Sequence, residues 1–163
     1  MVRYHMHKKE REIKDKEELI EILKQGKHAV ISMCRNNEPY LVTLSYGYDI
    51  DKNSLYFHTA AKGLKIDFMN QNPSVCATVI DDNGYVMNEC DHKFSSVVFW
   101  GEMCVVQDME EKKHGMKILL NHLEDDPKEL KEKFLKDDET LKKVMLLRLD
   151  INELTGKSNI PKK

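Results

Sequence analysis

Two lysines, Lys62 and Lys65, stand on either side of Gly63 in the stretch LYFHTAAKGLKIDFMNQNPSV, residues 55–75. An apolar run ends there, the small residues Thr59, Ala60, Ala61 and Gly63 follow, and a short helical pattern closes at Asn72-Pro73. Small residues keep the backbone approachable. A helix starting near Gly63 offers free N–H groups and the positive end of its dipole, which suits a phosphate. Two ammonium groups on the same side would strengthen that grip. The competing reading makes the lysines solvated and the alanines packing, and the turn alone does not choose between them, any more than a lone glycine loop would.

Other residue types that could do chemistry are sparser. His58 alternates with Phe57 in a strand-like run, so it is either turned toward a ligand or a hydrogen-bonded histidine of a sheet wall. Cys90 and His92 sit together in ECDH, and His5 and His7 form an HxH pair. Zinc needs four ligands in a tetrahedral array, and no second CxxC or HxxxH cluster completes either set, so no metal site is expected. The sequence has no GxSxG, Walker-type loop or HExxH, which leaves hydrolase readings without support.

The elements that must position these groups follow from periodicity. Leu19, Ile20, Ile22 and Leu23 make an apolar stripe with Asp15 and Glu18 at capping-box spacing and Gly26 as a stop, which predicts a helix. Runs at 28–34, 40–50 and 55–60, separated by NNEP and DKNS, predict an antiparallel meander. In the second run Leu41, Thr43, Ser45 and Gly47 share one small, hydroxylated face, while Tyr40, Val42, Leu44, Tyr46 and Tyr48 share an apolar, aromatic one. A helix is expected at 64–71, a strand at 75–81, a turn at Asn83-Gly84, a long strand at 94–108 bent near Gly101, and a last strand at 143–151 before a polar tail. Between them, residues 109–136 suit two surface helices broken at Asp126-Pro127. Six strands at this spacing predict a small closed or nearly closed barrel in a single domain, residues 1–163.

Bulk numbers narrow the function classes. Lysine and arginine total 26 against 28 acidic residues, a net charge of −2, so no basic field favours nucleic acid. Cys34, Cys76, Cys90 and Cys104 are widely spaced and read as reduced, mostly buried thiols. With no apolar run near the ~18 residues that span a bilayer and no export signal, a cytoplasmic protein without membrane partners is expected.

The segments EPYLVTLSYGYD, LYFHTAAKGLKIDFMNQNPSVCATV, SSVVFWGEMCVVQD and LTGKSN, in this order, resemble the FMN-binding split-barrel superfamily. They look most like its pyridoxamine 5′-phosphate oxidase-related branch, which includes the 5-nitroimidazole resistance (nitroreductase-like) proteins. The resemblance covers residues 10–159, and its most specific block is YFHTA…KG.K…N.NP.V. It implies a mainly β fold, a six-stranded antiparallel split β-barrel with peripheral helices, and a homodimer holding FMN at each end of its interface. Carried onto this chain, Lys62, Lys65 and Thr59 would hold the phosphate, and Val42, Thr43 and Leu44 would pass along the isoalloxazine edge. His58 would face the flavin region, with a catalytic role open to it. Ser95 and Ser96 would approach the cofactor from the partner strand. Plainer roles stand beside these: Tyr46 and Tyr48 as packing, Trp100 at the barrel surface or dimer seam, Ser95 and Ser96 as satisfiers of strand-end amides.

The tail LTGKSNIPKK lacks the arginine-containing RLxP-type ending of true pyridoxamine 5′-phosphate oxidases, so oxidation of pyridoxine phosphates is not expected. Lys157 could steady a reduced flavin or merely cap the last strand. The expected function is FMN-dependent reduction of a small organic acceptor of nitro or quinone type, since the flavin brings the redox chemistry and the chain its position. The alternatives are a flavin-binding module without turnover and a haem-binding split barrel with His58 or His92 as axial ligand.

Overall fold

The computed structural model describes residues 6–160; His5 of the HxH pair lies outside them. Leu19, Ile20, Ile22 and Leu23 bury one face of helix α1 (Lys16–Gln25), and Asp15 caps it by accepting the Glu17 amide at 3.0 Å. Seven strands follow: β1 (His28–Arg35), β2 (Glu38–Ser45), β3 (Gly47–Asp49), β4 (Ser54–Thr59), β5 (Ser74–Val86), β6 (Asp91–Val105) and β7 (Met145–Ser158). Helix α2 (Leu64–Gln71) links β4 to β5, and α3 (Met109–Leu123), α4 (Lys128–Leu135) and α5 (Asp138–Lys142) lie between β6 and β7. The sheet runs β2-β1-β5-β6-β7-β4-β3 with every pairing antiparallel. Its two edge strands, β2 and β3, are separated in the chain by Tyr46 alone, so the sheet curls until β2 approaches β4 without joining it in a ladder. That is a barrel with a split.

Four expectations need correcting. The strands number seven, not six, because the run 40–50 breaks at Tyr46. Its side chain is fully buried and its hydroxyl donates to the Leu23 carbonyl at 2.7 Å, so the chain leaves β1 there and begins pairing with β4. Asn83-Gly84 does not turn the chain; Gly84 takes φ 90° within an irregularity of β5, and the reversal comes at 87–90, where Asn88 and Cys90 have φ of 64° and 50°. The polar tail is not a tail up to Ser158, since residues 152–158 continue β7 against β6. Nor are the cysteines mostly buried: Cys34 and Cys90 are exposed and Cys76 and Cys104 half-buried, the first two at a strand end and a hairpin turn. Among the described residues no helix is long and apolar enough to cross a membrane.

Two apolar layers result. Ile31, Met33, Leu55, Phe57, Val97, Phe99 and Leu149 help fill the barrel, which α1 and α2 cap with Leu23 and Phe68. On the outer face of β4 and β7, Tyr56 and Leu146 meet Met116, Leu119, Leu120 and Leu141 of the helical insertion. Thus β4 is apolar on both faces over Leu55–Phe57, as a strand between two layers must be.

Helix α3 reaches the sheet closely because Gly47 has no side chain: a Cβ there would run into the backbone of Leu119. A polar cluster fixes the helix. Glu111 accepts from the Arg148 guanidinium and from the Tyr56 hydroxyl at 3.2 Å. Arg148 Nη2 donates to Asp150 Oδ2 at 2.9 Å, and Ser54 Oγ to Asp150 Oδ1 at 2.7 Å. His114 Nε2 lies 2.5 Å from Oδ2 of buried Asp49, whose Oδ1 also accepts the amides of Asp51 and Lys52 at 3.1 and 3.2 Å. Burial by itself would raise the Asp49 carboxyl, but these hydrogen bonds and His114 outweigh it and hold the group below its ordinary value.

Candidate functional site

β4 pairs with β3 only as far as Tyr56; beyond it Phe57, His58 and Thr59 keep β7 on one side and, among the described residues, have no strand on the other. β2 pairs with β1 alone. Two unpaired strand edges therefore flank the split, and backbone groups along them are available to a planar ligand. Val42, Thr43 and Leu44 lie on the β2 edge, opposite Ile31, Val30 and Ala29 of β1. Leu41, Thr43 and Ser45 face outward, Leu41 being 63% exposed, while Val42 and Leu44 pack against the barrel core. The aromatic face of this segment turns inward: Tyr40 lies against Phe68 with ring centroids 5.0 Å apart and planes tilted by 38°, and Tyr46 and Tyr48 are buried.

At the mouth of the split the chain makes the turn Thr59–Gly63 and enters α2. Gly63 is the N-cap, with φ 130° and ψ 168°, a conformation that disfavours any residue with a Cβ. No side chain caps the helix. The Gly63 carbonyl accepts the Ile66 amide at 2.9 Å, so the amides of Leu64 and Lys65 stand at the open end without an intrahelical acceptor. A Cβ at Gly63 would meet only the Lys65 Nζ, at 3.9 Å, so there is space over this end of the helix and an ammonium beside it. Lys62 is exposed and Lys65 half-buried; among the described residues neither has an ion pair or hydrogen bond. Asp67 sits in the same first turn and tempers the positive charge without pairing with either lysine. The donor set fits a phosphate.

His58 closes the other side. Its ring lies edge-on to Phe134 of α4, with centroids 5.7 Å apart, and the apolar surroundings lower its pKa below the ordinary histidine value. Sequence reasoning placed His58 in the barrel wall or toward a ligand, and missed that the helical insertion packs against it. The apolar spacing of Met116, Leu123, Leu130 and Phe134 was the available signal, but periodicity does not say which strand a helix will cover.

The structure brings Val42–Leu44, His58, Thr59, Lys62 and Lys65 to the split, and leaves Ser95 and Ser96 elsewhere. Thr59 pairs with Met145 at the start of β7, whereas Ser95 and Ser96 pair with Ser158 and Lys157 at its end. At ~3.3 Å per residue, about 40 Å of strand path separates the two pairings. Ser95 is buried and its Oγ lies 2.9 Å from the Ser158 Oγ. Ser96, Trp100 and Lys157 border a separate hollow of about 230 Å3 on the outer face of β6 and β7. His92 is engaged with Asp82 at 2.6 Å on the β5–β6 arm.

A curled antiparallel sheet, open between β2 and β4 and carrying an uncapped helix start at the opening, defines a split barrel. The chain belongs to the pyridoxamine 5′-phosphate oxidase family, whose model matches residues 15–158. Among solved structures it is similar to a candidate 5-nitroimidazole antibiotic resistance protein from Bacteroides thetaiotaomicron, at 26% identity and TM-score 0.75, covering 90% of this chain and 85% of that one. It shares its fold with the flavocytochrome Anf3 from Azotobacter vinelandii (16% identity, TM-score 0.78, 97% and 73% covered). The same holds for an FAD-binding protein from Mesorhizobium loti (19% identity, TM-score 0.67, 92% and 98% covered). No curated protein matches the sequence.

Proposed function

We propose that the protein binds FMN in the split, as a homodimer, and serves as an oxidoreductase that reduces small organic acceptors of nitro or quinone type. The observation that carries this reading is the turn at Gly63. Two lysines that have no partner among the described residues and two helix amides without an intrahelical acceptor stand at this turn, beside two open strand edges. The likeness to a candidate nitroimidazole resistance protein favours the acceptor class, and the FAD-binding neighbour favours a flavin.

In this reading the amides of Leu64 and Lys65 and the ammonium groups of Lys62 and Lys65 bind the phosphate, and Thr59 adds a hydroxyl. Backbone groups of Val42, Thr43 and Leu44 orient the ring system along the β2 edge. When bound, FMN supplies the redox chemistry, taking two electrons from a reductant and passing them to the acceptor. His58, whose pKa burial lowers below the ordinary histidine value, is able to hold or release a proton at an imidazole nitrogen beside the split. Ser95 and Ser96 stand too far along β7 to serve the same split, so they belong to this site only if a second copy contributes them.

Titrations of the wild type, Lys62→Ala and Lys65→Ala with FMN and with riboflavin test the cradle, since only FMN carries the phosphate. Each charge-assisted contact is worth about 1.5–3 kcal/mol, so each variant is expected to lose about ten- to hundredfold in FMN affinity and almost none for riboflavin. Equal losses for both flavins, or none, would put the phosphate elsewhere.

A further inference from the structure

Beside the split lies a cleft that shares only His58 with the flavin reading. It has a volume of about 240 Å3 and forms where α3 and α4 pass over the outer face of the barrel. Ser45 and His58 line its strand side, and Met116, Leu123, Leu130 and Phe134 its helical side. We infer that this cleft binds a small, uncharged, planar aromatic molecule, with His58 and Ser45 as its polar contacts and Leu130 and Phe134 setting the size of ring admitted.

Four observations converge on that occupant. An apolar cavity of about 150 Å3 takes a benzene ring, so this one has room for a substituted ring or two fused ones and is too small for a helix or strand of a partner. Among the described residues no Asp, Glu, Lys or Arg lines it, so a charged ligand would lose its hydration without compensation. Phe134 and the imidazole of His58 already meet at an interplanar angle of 69°, a T-shaped geometry in which aromatic rings attract. The cleft is also within reach: His58 keeps solvent exposure, Leu123, Leu130 and Phe134 are only half-buried, and α4 contains no fully buried residue, so it can adjust around a guest.

Its position gives the guest a role. Ser45 ends β2 and His58 belongs to β4, the two strands whose open edges make the split. A molecule in the cleft therefore borders whatever lies between those strands. The inference rests on the flavin reading only in making the guest an acceptor; binding itself does not depend on it.

4-Nitrotoluene and 4-nitrobenzoate have the same ring and nitro group and differ in charge. Titrated into the purified full chain by calorimetry, with the His58 ring signals followed by NMR, 4-nitrotoluene is expected to bind at least about tenfold more tightly and to shift those signals. Leu130→Trp fills the cleft and should weaken 4-nitrotoluene by at least about tenfold while leaving FMN affinity unchanged. Phe134→Ala enlarges it and should shift preference toward 1-nitronaphthalene. Equal affinity for the charged and uncharged rings, undisturbed His58 signals, or binding indifferent to both substitutions would overturn the inference. FMN titrated into the same samples separates the two readings, because FMN binding without nitrotoluene binding defeats the cleft alone, and the reverse result defeats the flavin site alone.

Discussion

Two clusters of charge lie near opposite ends of β4, and they are built on opposite plans. Under α3, Glu111, Arg148, Asp150, Tyr56 and Ser54 meet one another in a chain of hydrogen bonds, and Asp49 meets His114 and two amides. At the Gly63 turn, Lys62, Lys65 and the first helix amides have no such partners among the described residues. A cluster that satisfies itself holds the fold together; one whose donors converge on open space has been left for something else to satisfy. Composition does not reveal the difference, since both combine basic side chains and carboxylates with small or aromatic neighbours.

The contrast is sharpest at Glu111. Its replacement by alanine strips an acceptor from both Arg148 and Tyr56, in a setting where Tyr56 has no exposed surface and Glu111 is 20% exposed. Equilibrium urea unfolding is expected to show a loss of about 2–3 kcal/mol. A loss below about 0.5 kcal/mol, typical of ordinary surface substitutions, would mean that the apolar layer alone seats α3.

A smaller effect, readable through pH, belongs to Asp49. Because its folded carboxyl is held below the unfolded value of 3.8, its contribution to stability is complete above that value and fades as pH falls through the lower folded one. Asp49→Asn should therefore lower the urea midpoint at pH 6 and converge toward wild type as pH drops below about 4. Parallel curves down to pH 2 would remove the linkage.

The least change is expected where function is proposed. With Lys62 and Lys65 both replaced by alanine, unfolding without flavin should stay within about 0.5 kcal/mol of wild type. A loss as large as that of Glu111→Ala would erase the distinction between the two clusters and turn the cradle into a structural feature.

What the sequence disclosed depended on whether the signal was local. Helix α2 was expected at residues 64–71 and occupies them, because Gly63 and Asn72-Pro73 punctuate both ends. The two helices around Asp126-Pro127 were legible for the same reason. Short α5 escaped notice, having little more than a turn of periodicity. The ends of β5 and β7 were misjudged because Asn83, Gly84, Asn152 and Gly156 discourage strands individually and are carried in them by the pairing of the residues that flank them. The site divides likewise. The turn from Thr59 to Lys65 was visible as a pattern, whereas the meeting of His58 with Phe134, 76 positions later, arises only when a distant helix folds back over the sheet.

The place of β7 in the sheet has a consequence for how this chain comes into being. It lies between β6 and β4 and is hydrogen-bonded to both, so it alone joins the β3–β4 hairpin to the rest of the barrel by a ladder. A ribosome translating this message releases both neighbours long before residues 145–158. The nascent chain thus waits with two raw edges exposed, and the open split is the one gap that survives when the last strand arrives.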